Sequence, residues 1–68
     1  MELREQMLNA ARKHAEGELE LHKTNIEVYM QKVVGIGEHS DIIEAIEIEL
    51  DKAAKFKDML EVLEEHVA

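Results

Sequence analysis

Apolar residues recur every three or four positions along almost the whole chain. Leu3, Met7, Ala11, Ala15, Leu19, His22, Ile26, Tyr29 and Val33 form one such line, broken only by the imidazole of His22. Glu, Arg, Lys, Gln and Asn fill the positions between. This spacing puts the line on one face of a helix, whereas a half-buried strand would alternate with a period of two. A second line runs through Ile43, Ile46, Leu50, Ala53, Phe56, Leu60, Leu63 and Val67. The pattern predicts two long helices, over about 2–34 and 41–67, in a single all-α domain spanning 1–68. The first would be about 45 Å long.

The break between them is marked by Gly35-Ile36-Gly37-Glu38-His39-Ser40. Gly35 suits the left-handed conformation that ends a helix, and Ile36 can then fold back toward Met30 or Val33. Ser40 or Asp41 is placed to cap the next helix, and Asp41 with Glu44 approaches a capping box. Acids at 38, 41 and 44 suit the positive end of the helix dipole. The expected architecture is thus a hairpin of two antiparallel helices with a turn at 35–40. Gly17 offers an alternative, a break that would give three helices. Its flanks hold no second turn residue and no proline, so the first helix is expected to run through it at a cost of about 1 kcal/mol relative to Ala.

The apolar positions outnumber what a hairpin can cover. Leu8, Leu21 and Val28 lie off the main line of the first helix, beside Met7 on its edge, and Ile42, Ile48, Met59 and Val62 off that of the second. Two helices side by side cover one stripe on each other. A chain of 68 residues is also short for a stable core, since it buries only about 60% of its unfolded surface. The expected remedy is a second copy, a dimer forming a four-helix bundle. The residues expected in the core or the oligomer interface are Leu19, Ile26, Tyr29, Val33, Ile46, Leu50, Phe56, Leu60 and Leu63.

Composition agrees and narrows the function classes. There is no cysteine and no proline, and 35% of residues are charged. Disulfides and thiolate metal sites are therefore excluded. The net charge is −8. Residues 1–34 hold six acids and five bases, and residues 35–68 hold ten acids and three bases. Such a surface repels phosphate backbones, so no nucleic-acid partner is expected. It could attract a basic surface on a partner protein, and binding of that kind would weaken with salt. No apolar run nears the roughly 20 residues needed to span a bilayer, and the N-terminus lacks the apolar segment of a signal peptide. A cytoplasmic protein with no membrane partner is expected.

Candidate chemistry is sparse. Helix bundles that hold di-iron sites carry Glu-x-x-His, and none of His14, His22, His39 or His66 has Glu three residues before it. The nearest substitute is His14, Glu18 and His22, four apart and so on one side of a helix. These are the only metal-ligand candidates, and a metal-binding bundle is the third functional reading after a self-associating protein and an acidic regulator. His22, in the apolar line, reads either as a ligand or pH-sensitive group or as a partly buried histidine bonded to a neighbour. Ser40, Thr24 and Tyr29 are the only hydroxyls, and no nucleophile–base pair is suggested. Gly35-Ile36-Gly37 is too short for a dinucleotide fingerprint and no strand precedes it. No enzymatic activity and no cofactor are expected.

The run from Val34 to Glu47, Val-Gly-Ile-Gly-Glu-His-Ser-Asp-Ile-Ile-Glu-Ala-Ile-Glu, is followed by Glu49-Leu-Asp-Lys and Leu60-Glu-Val-Leu-Glu. Together with Lys23-Thr-Asn-Ile-Glu-Val-Tyr, it resembles small uncharacterised helical proteins encoded by tailed phages of marine cyanobacteria. The shared features are a turn and a helix start rather than a site. The resemblance implies expression inside an infected bacterium and carries no activity. The function expected is that of a small interaction or structural protein that self-associates through apolar helix faces.

Overall fold

The computed structural model describes residues 2–32 and 39–67. They form two α-helices, α1 (Leu3–Lys32) and α2 (His39–Val67), with no strand among the described residues. The helices pack against each other as an antiparallel pair, 54 Å long and 13–17 Å across. The expected Gly35–Ile36 helix stop, and Val33 with it, lie outside the described residues. Helix α2 begins at His39, so Ser40 and Asp41 belong to its first turn rather than preceding it. A helix end is defined only to within a residue or two, and Asp41 still serves the helix dipole there.

Helix α1 passes through Gly17 without a break. Glycine alone does not stop a helix; it weakens one by about 1 kcal/mol, and packing on both sides outweighs that cost. Ala15 and His22, on either side of it, are the two buried residues of α1.

The seam between the helices follows a seven-residue repeat. On α1 it holds Leu8, Ala15, His22 and Tyr29; on α2 it holds Ile42, Glu49, Phe56 and Leu63. Leu19 and Ile26, with Ile46, Ala53 and Leu60, fill in beside that line. Residue 22 meets residue 49, and residue 4 meets residue 66. That register sets Tyr29 opposite Ile42, Ala15 opposite Phe56 and Leu8 opposite Leu63. A repeat of seven is the spacing that keeps two long helices in contact along their length.

The seam departs from the expected lines at both outer ends. Leu3 and Met7 are exposed and Leu8 takes the inner position. In α2, Ile42 and Glu49 turn inward, leaving Ile43 and Leu50 exposed. Leu50, expected in the core or interface, keeps 50% of its surface open within the hairpin. Leu19, Ile26, Tyr29, Ile46, Phe56, Leu60 and Leu63 are half-buried.

The resulting core is thin. Ala15 and Ala53 are its buried apolar residues, and among the described residues no large side chain is fully buried. Ten large apolar side chains among the described residues remain 43–69% exposed. A compact monomer of this mass exposes about 4,400 Å². This chain exposes 5346 Å².

Candidate functional site

Among the described residues, the one buried polar side chain is His22, 7% exposed at the middle of α1. Its Nδ1 lies 2.5 Å from Oε2 of Glu49 on α2, and its Nε2 lies 3.3 Å from Oε2 of Glu18, one turn back on α1. An ionised carboxylate only accepts. The Glu49 contact is thus a hydrogen bond donated by the ring, while the Glu18 contact is a charge contact outside hydrogen-bond geometry. The ring also stacks on Phe56, with centroids 5.9 Å apart and planes 8° from parallel. His14 meets the same phenyl ring edge-on at 6.1 Å, and Lys55 Nζ lies 5.6 Å from its centroid.

Glu49 responds to this setting. The hydrogen bond from His22 holds its carboxyl below the ordinary value of 4.5, against the opposing effect of burial. The Asn25 amide, the charge on His22 and Lys52 act in the same direction as that bond. A polar pair at this place selects a register. A slip by one heptad would part His22 from Glu49 and set Glu49 opposite Ala15 or Tyr29, with no partner for the His22 ring nitrogen that Glu49 now accepts from.

His14, Glu18 and His22 are not gathered into a metal site. Among the described residues, no group of three His, Asp or Glu side chains is placed to hold an ion. The reason is local: both nitrogens of His22 are turned to carboxylates, and His14 is turned to Phe56. The expected neighbour of His22 across the interface is found, and it is Glu49. The sequence carried a signal for it, since Glu49 stands seven residues from both Ile42 and Phe56. An acid in that line reads as a polar gap until its partner is known.

The second feature is a groove of about 610 Å³ at the open end of the hairpin. Leu8, Ala11, His14 and Ala15 line it from α1, and Asp58, Met59, Val62, Leu63 and His66 from α2. Its walls are almost wholly apolar. At its mouth the Arg4 guanidinium donates to the His66 carbonyl at 3.4 Å, and His66 Nδ1 donates to the Val62 carbonyl at 3.0 Å. A smaller groove of about 400 Å³ lies between Leu19, Lys23 and Ile26 on α1 and Leu50, Ala53, Ala54 and Lys57 on α2. No helix among the described residues is long and apolar enough to cross a membrane. No protein-family model, curated protein or solved structure matches this chain.

Proposed function

We propose that this chain is a small non-enzymatic interaction or structural protein whose working form is a self-associated helical hairpin, a dimer completing a four-helix bundle. The observation that carries this reading is the surface left uncovered. The chain exposes 5346 Å², roughly 1,000 Å² more than a compact monomer of its mass. A stable protein interface takes about 800 Å² from each partner. The excess is thus about one subunit's share of a dimer interface. Much of it is leucine, isoleucine, valine and methionine at helical spacing, the kind of side chain that a bundle buries. A dimer would also supply what the described residues lack on their own, a fully buried large side chain.

Sedimentation equilibrium tests the reading directly. The expected mass is twice 7.8 kDa at micromolar concentration. A strict monomer across the whole accessible concentration range would overturn it.

A further inference from the structure

The two long faces of the hairpin differ, and the difference assigns the docking face. We infer that a second copy of this chain seats on the face formed by Met7, Leu21 and Val28 of α1 with Ile48, Met59 and Val62 of α2. This rests on the self-association reading above and specifies which surface carries it.

The geometry follows from the seam. At 100° per residue, Met7, His14, Leu21 and Val28 repeat every seven positions. They form a line one residue before the seam line of Leu8, Ala15, His22 and Tyr29. Ile48 and Met59, 11 residues apart, share a bearing on α2, with Val62 beside them. His14, Met59 and Val62 line the same large groove, so the two lines border one face. All six named residues are 43–63% exposed. They already stand in helical rows, the form in which one helix pair packs on another.

Charge separates this face from the other. On α1 the acids Glu2, Glu5, Glu16, Glu20 and Glu27 all project to the opposite side or to the back of the helix. The sixth, Glu18, is held by His22. On α2, Lys52 and Lys55 share this face between Ile48 and Val62, and Asp58 reaches the wall of its large groove. The opposite face has Lys23 and Lys57 on the walls of its smaller groove. Glu5, Glu16, Glu27, Glu61 and Glu64 stand beside that face. Two copies that each carry a net charge of −8 repel, and the repulsion is least where carboxylates are fewest. This face carries fewer acids than the other, Glu18 held by His22 and Asp58 at the groove wall, with Lys52 and Lys55 among its cations, and it suits a second acidic copy better than the opposite face does.

Unmodified protein allows a test that needs no variant. Met7 and Met59 lie on the docking face and Met30 on the other, at 63%, 43% and 55% exposure. Peroxide oxidation followed by peptide mass analysis reads the three separately. At a concentration where the chain is dimeric, Met7 and Met59 should oxidise several-fold more slowly than Met30. That protection should vanish on dilution to monomer. Protection of Met30 instead, or equal rates at all three, would overturn the face assignment while leaving dimerisation intact. Leu21→Glu and Leu50→Glu supply the second arm, each checked for helicity by circular dichroism. Leu21→Glu should sediment as a monomer and Leu50→Glu as the dimer. The reverse result, or a dimer from both, would also overturn the assignment. A wild-type monomer would instead remove the self-association reading beneath it.

Discussion

Replacing Gly17 by Ala should stabilise this protein, and the size of the effect can be worked from its surroundings. Gly17 lies near the middle of the 30-residue helix α1. A Cβ built there meets nothing within 4 Å. The added methyl therefore encounters no steric cost, and two gains remain. Alanine has the higher helix propensity, and it narrows the unfolded ensemble. Together these are about 1 kcal/mol per chain. For a domain of this size, 1 kcal/mol moves Tm by about 4–8 °C. Thermal melts of Gly17→Ala and wild type, followed by far-ultraviolet circular dichroism at one fixed chain concentration, measure the difference. Fixed concentration matters because association shifts Tm by mass action. An unchanged Tm would mean that α1 is not helical through residue 17. A lower Tm would mean that another chain seats directly on Gly17. Either result refutes the reasoning.

Acid should destabilise the hairpin partly through Glu49. Its carboxyl is held below 4.5 in the folded state, so its stabilising effect is complete above that pH and is lost as pH falls through the folded value. Glu49→Gln should melt lower than wild type at neutral pH and lose less on acidification. Parallel plots of Tm against pH for the two proteins would exclude the His22–Glu49 contact as the cause. Phe56→Ala, which removes the ring stacked on His22, should cost about 3 kcal/mol. Leu50→Ala should cost about 1 kcal/mol, because a leucine already half exposed has less burial to lose. Urea unfolding of the two variants should show Phe56→Ala clearly the weaker, and equal midpoints would contradict the seam described.

The sequence by itself determined the two helices. Their period of three to four is a local property, and the long apolar lines with so few glycines and no proline leave no competing strand or loop reading. It favoured a helix running through Gly17, since no other turn signal accompanies it, and the structure settled that α1 is unbroken there. It also indicated that one hairpin would leave apolar surface uncovered, because the apolar positions are too many for a single stripe. What the sequence left open was which line of each helix faces the other. On α2 two neighbouring lines compete: Ile43 and Leu50 read as more apolar than Ile42 and Glu49. Periodicity counts apolar side chains and knows nothing of what lies across the seam. The tertiary structure decided for Glu49, because His22 stands opposite with its buried Nδ1 to satisfy. A buried donor without a partner costs more than an exposed leucine. That choice turned Leu50 outward and put Met7, Leu21, Ile48, Met59 and Val62 to the side of the seam. The face proposed for the second copy is therefore a consequence of one polar pair that only the packed helices bring together.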